Sequence, residues 1–344
     1  MPYERILVGT DGSDTAAVAL STATGLAIRT GAEVHIVCAH GDGVKEERAA
    51  EVLSEARAAV RAEGATTRTH MRAGEPAPVV LDIAGLQAID LIVVGNVGMG
   101  KARRFKLGGI AEQVAYASPC DVLIVHSKDR QGTAGAYRHL VIGTDGSATA
   151  TEATRKGMEL ARALDAEVTL VHVGDPLVGA VVLEEATKSG SGVRQVRGRP
   201  EEGDPAERIV AVAGSDAADL VVVGNKGMAG PRRYLMGSVP SRVAHESPVD
   251  VLIAKTVGRS VDDLAPGHGG LVLVHGRRLA IFKAEDGSIT ALSPRCQHMG
   301  CTVDWNDADR TWDCPCHGSR YRFDGTVIRG PAKRDLDRAP LQDP

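Results

Sequence analysis

The chain has few aromatic residues, which make up 3% of its 344 positions, and it contains no apolar run of 18 residues. The missing run argues against a membrane-spanning helix, and the N-terminus leads straight into a strand-like stretch without a signal peptide. The net charge of −4 gives no reason to expect a nucleic acid or an anionic membrane as a partner. We therefore expect a cytoplasmic protein, and its length predicts two or three domains.

Cysteine is also scarce, at six residues, and four of the six fall in two short segments near the C-terminus. These segments read Cys-Gln-His-Met-Gly-Cys from Cys296 and Cys-Pro-Cys-His-Gly-Ser from Cys314. Two thiolates and two imidazoles at these positions are the ligand set of a [2Fe–2S] cluster with one iron on sulfur and the other on nitrogen. Tetrahedral zinc accepts the same set, but it would leave Cys301 and Cys316 unexplained, and C-x-H is tighter than the usual zinc spacing.

The two segments resemble the ligand boxes of the Rieske family, in the specific form C-x-H-x-G-C and C-P-C-H-G-S. This resemblance covers the C-terminal part of the chain. It implies two pairs of iron ligands, one pair for each iron, which are Cys296 with Cys314 and His298 with His317. It also implies that the second cysteines of the boxes, Cys301 and Cys316, are joined as a disulfide.

Residues next to the boxes bear on the reduction potential. By resemblance to the family, Ser319 donates a hydrogen bond to a bridging sulfide and Tyr321 donates one to a ligand cysteine sulfur. Such bonds stabilise the reduced state, so both donors favour the upper half of the range of about −150 to +300 mV for this ligation. Alternatively, Tyr321 is one aromatic residue of a small β core. Gly330-Pro331-Ala332 resembles the family's proline loop over the cluster, although Lys333 stands where a second proline is expected.

The rest of the chain contains an internal repeat, which is the strongest signal for its domain organisation. Three segments of the first copy have counterparts in the second: Arg5–Ser13 returns as His139–Ser147, Asp90–Asn96 as Asp219–Asn225, and Ser118–Ile124 as Ser247–Ile253.

Each copy reads as strands alternating with helices. In the first copy, short Val/Ile/Leu runs typical of strands buried on both faces occur at 5–10, 33–40, 90–95 and 121–126, with a weaker candidate near 66–72. Ala-rich segments at 14–30 and 76–88 suit crossover helices. The pattern predicts a five-stranded doubly wound α/β domain with its ligand cleft at the carboxyl ends of the strands. Strand histidines such as His172 have no ligand spacing, so we expect them to pack or to face solvent.

A glycine-rich loop in the second copy follows a buried strand and opens a helix that runs to about residue 246. Its glycines allow a phosphate to approach the backbone, and the helix N-terminus offers donors. With Gly-Thr-Asp-Gly-Ser at the first strand end, each copy resembles a universal stress protein domain of the ATP-binding kind, with the adenine-nucleotide alpha-hydrolase-like fold. That resemblance implies an adenine nucleotide, ATP or AMP, contacted by Asp145 and held at its phosphates by Gly224, Gly227, Gly237, Ser238 and Val239. Alternatively, the glycines only satisfy turn geometry.

The first copy departs from this pattern. The corresponding residues are Asp11, Gly95, Gly98 and Gly108, but Gly109 stands where the second copy has Ser238. The missing hydroxyl removes one donor to phosphate, which costs about 1.5 to 3 kcal/mol and weakens binding more than tenfold. The second copy is five positions shorter between its aspartate and its first loop glycine, which predicts a shorter middle helix.

We therefore predict universal stress domains at residues 1–130 and 136–256, followed at 257–344 by a linker and a small all-β Rieske barrel. The two stress domains are expected to form an internal pseudo-dimer, with strands 121–126 and 250–255 adjacent and antiparallel. Whether the chain also forms a homo-oligomer stays an open question.

Three functions fit this organisation. The leading hypothesis is a one-electron carrier or redox sensor coupled to ATP or AMP binding, with an unknown electron donor and acceptor. The second is a nucleotide-binding stress protein whose cluster only senses oxidation. The third is an electron-transfer component of a separate oxygenase, because no domain here offers the 2-His-1-carboxylate iron site of such enzymes. No general base is evident near the phosphate loop, so hydrolysis is not predicted.

Overall fold

The structure, a computed structural model, describes residues 2–41, 44–96, 107–126, 135–225, 237–255, 261, 264–274, 277–307, 309–314 and 316–341. The chain forms two compact units, and the second contains the residues from 257 onward. Within the described ranges, every helix is too short or too polar to span a lipid bilayer.

The first repeat alternates strands and helices in the order that its apolar runs predicted. Its elements are β1 (Arg5–Gly9), α1 (Asp14–Thr30), β2 (Glu33–His40), α2 (Glu46–Ala62), β3 (Thr67–Ala73), α3 (Pro76–Leu86), β4 (Leu91–Gly95), α4 (Gly109–Ala117) and β5 (Asp121–Val125). Helix α1 begins after Ser13, whose side chain accepts a hydrogen bond from the backbone N–H of Ala16. It ends at Gly31, which adopts the left-handed conformation at φ 74°.

The second repeat has the same element order. Its elements are β6 (His139–Gly143), α5 (Ala148–Leu164), β7 (Glu167–Val173), α6 (Pro176–Lys188), β8 (Gln195–Glu201), α7 (Pro205–Ser215), β9 (Leu220–Gly224), α8 (Ser238–Glu246) and β10 (Asp250–Ala254). Asp175 and Asp204 cap α6 and α7, and each precedes a proline that suits the first helical turn. Helix α6 has 13 residues where α2 has 17, which confirms the shorter middle helix.

The strands of both repeats join into one ten-stranded sheet of order β3-β2-β1-β4-β5-β10-β9-β6-β7-β8. Within each repeat the strands are parallel. Between the repeats, β5 and β10 pair antiparallel, with Leu123 opposite Leu252. The predicted pairing of the last strands is therefore confirmed.

Helices cover both faces of this sheet, so its strands are buried on both sides. Alternation along β1 places Ile6 and Val8 in one hydrophobic cluster and Leu7 in another, and all three side chains are buried. This explains why the strands read as continuous apolar runs rather than as alternating ones.

Buried aspartates lie at the seam between the two repeats. Three donors reach the Asp121 carboxylate: the Tyr3 hydroxyl at 3.1 Å, the backbone N–H of Lys255 at 2.7 Å and Nζ of Lys156 at 2.7 Å. Its counterpart Asp250 accepts from the Tyr137 hydroxyl at 2.6 Å and from the backbone N–H of His126 at 2.9 Å. Because each aspartate bonds to residues of both repeats, these contacts fix the repeats to one another.

The second unit consists of short antiparallel strands. They are β11 (His268–Val274), β12 (Arg277–Lys283), β13 (Ile289–Leu292), β14 (Asp304–Asn306), β15 (Thr311–Asp313), β16 (Arg320–Arg322) and β17 (Val327–Arg329). They form a three-stranded and a four-stranded sheet. Trp305 and Trp312 pack edge to face with ring centroids 4.9 Å apart and fill the core between the strands.

Candidate metal centre and nucleotide sites

Two loops of the second unit have the same backbone geometry. In the first box, the N–H of Cys296 donates to the carbonyl of Cys301 at 2.8 Å, and the N–H of Gly300 donates back to the Cys296 carbonyl at 2.8 Å. In the second box, Cys314 bonds to Ser319 and Gly318 bonds back to Cys314 in the same pattern. Both glycines adopt positive φ, which explains why the boxes share a glycine four positions after the first cysteine.

These loops bring the four predicted ligands together in two pairs. Cys296 and Cys314 are both buried. His298 and His317 are exposed, and their rings meet edge to face with centroids 4.8 Å apart. The loops therefore separate a buried thiol pair from an exposed imidazole pair.

The two remaining box cysteines lie next to this thiol pair. The sulfur atoms of Cys301, Cys314 and Cys316 all lie within 4.8 Å of one another. All six cysteines of the chain are free thiols here, so the Cys301–Cys316 disulfide stays a prediction. The neighbouring thiols of Cys314 and Cys316 lower the pKa of Cys301.

The hydroxyl of Tyr321 lies 3.1 Å from Sγ of Cys296 and also accepts a hydrogen bond from the backbone N–H of Gln297 at 3.1 Å. The backbone group can only donate, so the hydroxyl hydrogen is available to the cysteine sulfur. Burial, followed by the bond to Cys296, raises the pKa of Tyr321. Tyr321 is also part of the hydrophobic core around Trp312. It therefore combines the two roles considered from the sequence, donor to a ligand cysteine and aromatic residue of a small β core.

Ser319 is fully buried, and its Oγ accepts a hydrogen bond from the backbone N–H of Ala332 at 3.1 Å. Its own hydrogen has no acceptor among the residues that the structure describes. The proline loop comes this close because of Gly330, at φ 111°, where an added Cβ would lie 2.5 Å from Cα of Ser319. The segment that resembles the family's proline loop therefore packs against the second box.

This donor set fits a [2Fe–2S] group with mixed ligation. Two buried thiols suit one iron and two exposed imidazoles suit the other. The Ser319 hydroxyl is a buried donor that needs an acceptor of the kind a sulfide provides. Zinc with the same four ligands would leave that donor unused.

The second repeat has a cavity of about 110 Å³ at the carboxyl ends of its strands. Its lining residues are Gly143, Thr144, Asp145, Ala150, Val171, Val173, Pro205, Ile209, Val223, Gly224, Val239 and Pro240. The predicted residues Asp145, Gly224 and Val239 are among them. Gly237 and Ser238 start helix α8 beside Val239, and the helix has no side-chain cap, so its first N–H groups stay available to an anion.

Gly224 has a steric requirement of its own. An added Cβ there would lie 2.8 Å from the carbonyl oxygen of Thr149, in the first turn of α5. The equivalent contact of Gly95 with Thr15 is 3.2 Å. Close packing of strand end against helix therefore explains both glycines without a ligand.

His172 packs against the loop that carries Asp145. The sequence predicted only that this histidine packs or faces solvent, not which loop it contacts. It is buried, and its Nδ1 lies 3.1 Å from the carbonyl oxygen of Thr144, in the loop that carries Asp145. An added Cβ at Gly179 would lie 2.9 Å from the imidazole, so this helix glycine makes room for the ring. The one sign of this contact in the sequence is Gly179, a glycine inside helix α6.

In the first repeat, the equivalent loop is held by Asp11, whose Oδ1 accepts from the backbone N–H of Ser13 at 2.9 Å. Gly108 precedes helix α4, and again no side chain caps the helix. An added Cβ at Gly109 would meet nothing within 4 Å. Gly98 and Gly227 lie outside the described residues, so the predictions for them rest on the sequence.

Comparison with family models assigns both parts of the chain. The model of the universal stress protein family matches residues 2–126, 136–192 and 179–255. The model of the Rieske [2Fe-2S] domain matches residues 255–340.

The curated relatives match the second unit. YhfW of Bacillus subtilis (strain 168), provisionally named a Rieske 2Fe-2S iron-sulfur protein, is 45% identical over 80 residues, which are 23% of this chain and 16% of that protein. The cytochrome b6-f complex iron-sulfur subunit 1 of Synechocystis is 46% identical over 75 residues, which are 21% of this chain and 42% of that protein. The chain thus spans less than half the length of each.

The first unit matches solved structures. A universal stress protein from Archaeoglobus fulgidus DSM 4304 superposes with a TM-score of 0.62 and 21% identity, covering 73% of this chain and 98% of that one. At this identity the match supports the fold alone. Since the family model covers most of the sequence, the chain belongs to the universal stress protein family, and it carries a Rieske [2Fe–2S] domain after its two stress domains.

Proposed function

We propose that the protein is a one-electron carrier or redox sensor in which Cys296 and Cys314 bind one iron and His298 and His317 bind the other. The observation that carries this proposal is the separation of the four side chains into a buried thiol pair and an exposed imidazole pair. A [2Fe–2S] cluster held this way supplies reversible one-electron transfer.

The chain's own residues act around that group. Tyr321 directs its hydroxyl hydrogen at Sγ of Cys296, and Ser319 has a buried hydroxyl hydrogen to donate. Donors of this kind stabilise the additional negative charge of a reduced centre and so raise its potential. We propose that Cys301 and Cys316, whose sulfurs lie within 4.8 Å, form the disulfide that joins the two loops.

We further propose that the second stress domain binds an adenine nucleotide, ATP or AMP, in the cavity lined by Asp145, Gly224 and Val239. The available N–H groups at the start of α8 and the Ser238 hydroxyl suit its phosphates. Nucleotide binding then shifts the reduction potential of the cluster. The protein acts in the cytoplasm, where it exchanges electrons with a donor and an acceptor.

Metal analysis of the purified protein tests the cluster. We expect two iron and two acid-labile sulfide per chain, with an electron paramagnetic resonance signal on reduction. His298→Ala should lose that signal, whereas His268→Ala, at an exposed histidine of the same unit, should keep it. Stoichiometric zinc without sulfide would rule the proposal out.

A second candidate function is a nucleotide-binding stress protein whose cluster only senses oxidation. The cavity of the second stress domain favours it, because that site is built without any contribution from the boxes. The second candidate differs from a carrier in turnover: a carrier passes electrons repeatedly between a donor and an acceptor, whereas a cluster that only senses oxidation is oxidised once. Multiple-turnover kinetics with excess donor and acceptor separate them.

A further inference from the structure

Three cations that form no ion pair with a described residue lie at the end of the Rieske unit that carries the second ligand box. The second box joins β15 to β16, so Arg320, the first residue of β16, follows the box directly. Arg329 is paired with Arg320 in the sheet register. It therefore lies at the same end of the four-stranded sheet as the second box.

Two more cations lie on the proline loop, which follows Arg329 in the chain. Gly330 packs on Ser319 of the second box, and Ala332 donates its N–H to the Ser319 hydroxyl. Lys333 and Arg334 follow directly. We call Arg329, Lys333 and Arg334 the basic rim.

The side chains of the basic rim are exposed, and none makes an ion pair with another described residue. Arg320 differs from them, since it pairs with Asp309 at 2.9 Å and with Asp313 at 2.9 Å.

Two carboxylates nearby are already engaged. Asp335 accepts from the backbone N–H of Val327 at 2.8 Å, and Asp337 accepts from the side-chain amide of Gln297 at 2.9 Å. Their charges partly offset the rim, but both bonds are to neutral donors, and neither carboxylate forms an ion pair with the rim among the residues that the structure describes.

From this placement we infer that the basic rim is the docking surface for an acidic electron-transfer protein. Exposed cations near the second box attract a negatively charged partner and steer it toward the ligand boxes, and their side chains stay hydrated when no partner is bound. The inference rests on the proposed cluster, because without it the surface has no electron to exchange.

Small redox reagents of opposite charge test the surface without knowledge of the partner. The reduced protein gives one electron to hexacyanoferrate(III), which becomes hexacyanoferrate(II), or to tris(phenanthroline)cobalt(III), which becomes the cobalt(II) complex. Stopped-flow rates are measured at low and high salt. Lys333→Glu and Arg334→Glu are compared with Arg322→Glu, which makes the same charge change at an exposed residue at the other end of β16.

We expect both rim variants to slow oxidation by the anion about threefold or more at low ionic strength, to speed oxidation by the cation, and to lose both effects in high salt. Arg322→Glu should change either rate less. Equal rates for rim and control variants would overturn the inference, provided that all variants keep the reduced-state spectrum. Loss of that spectrum in the parent protein would instead overturn the cluster assignment.

Binding gives a readout that does not depend on electron transfer. Calorimetry with poly-L-glutamate, a redox-inert acidic chain, should show binding to the parent protein that weakens in Lys333→Glu and not in Arg322→Glu. Binding of a random duplex DNA with stronger affinity than poly-L-glutamate would assign the surface to nucleic acid and refute a protein partner.

Discussion

At the scale of single residues, the hydroxyl of Tyr321 links the core to the candidate metal centre. Its ring packs in the hydrophobic core of the second unit, while its oxygen accepts from Gln297 and faces Sγ of Cys296. The fixed backbone donor leaves only one direction for the hydroxyl hydrogen, so the interaction with sulfur is set by the fold.

Replacing this residue tests the interaction. Tyr321→Phe removes the donor and keeps the ring, so we expect the reduction potential to fall by about 40 mV if the bond favours the reduced state by about 1 kcal/mol. Phe323→Leu, at an exposed ring one residue beyond the strand, is the matched control and should leave the potential in place. An unchanged potential in Tyr321→Phe would refute this tuning role.

A second residue difference concerns the two nucleotide loops. Ser238→Gly should weaken ATP binding about tenfold or more, because one donor to the phosphates is lost. Gly109→Ser is the reciprocal change, and its side chain has open space. It should strengthen the first site. Calorimetry on both variants measures the effect, and an unchanged affinity in Ser238→Gly would move the working site to the first repeat.

The sequence predicts these residues unequally. Box residues are readable because a cluster needs particular ligand types at fixed loop positions. The hydrogen bond between Ser319 and Ala332 cannot be predicted from the sequence, because it joins two segments that meet only in the folded domain. The contact that His172 makes could not be predicted for the same reason, since its partner Thr144 lies in the loop after the neighbouring strand.

At the scale of elements, the seam between β5 and β10 decides whether the repeats act as one body. Asp121 is buried on all sides, and burial raises its pKa while the nearby ammonium of Lys156 opposes that rise. The Lys156 ammonium lies 2.7 Å from the carboxylate and is only 12% exposed. Removing one charge of such a pair leaves the other buried and unpaired.

Lys156→Met should therefore lower the free energy of unfolding of the stress unit by about 3 kcal/mol. Asp121→Asn combined with Lys156→Met should recover part of the loss, since the remaining amide carries no charge. Lys188→Met, at an exposed pair with Glu185, is the control and should have no measurable effect. Denaturant unfolding followed by circular dichroism gives the values, and equal effects of Lys156→Met and Lys188→Met would contradict the seam's role.

Element prediction was strongest where strands are buried on both faces and weakest at the edges. Strands such as β4, Leu-Ile-Val-Val-Gly, are readable because two helical layers demand apolar residues throughout. The edge strand β8, Gln-Val-Arg-Gly-Arg-Pro-Glu, carries polar residues because it pairs on one side only. The strands β14 to β17 have three residues each, too few for a periodic pattern.

At the scale of the whole molecule, one chain combines a stress unit and a Rieske domain. Their coupling is a thermodynamic proposal: if ATP favours one redox state, then the redox state changes ATP affinity by the same factor. A coupling of tenfold in affinity corresponds to about 59 mV in the potential of a one-electron centre.

Redox titration of the full chain, followed by electron paramagnetic resonance with and without saturating ATP, measures this coupling directly. We expect one signal from the reduced cluster whose midpoint potential shifts when ATP is bound, and a smaller shift in Ser238→Gly at an ATP concentration that only just saturates the parent protein. A midpoint that stays the same while calorimetry shows ATP bound to the parent protein would contradict the coupled function.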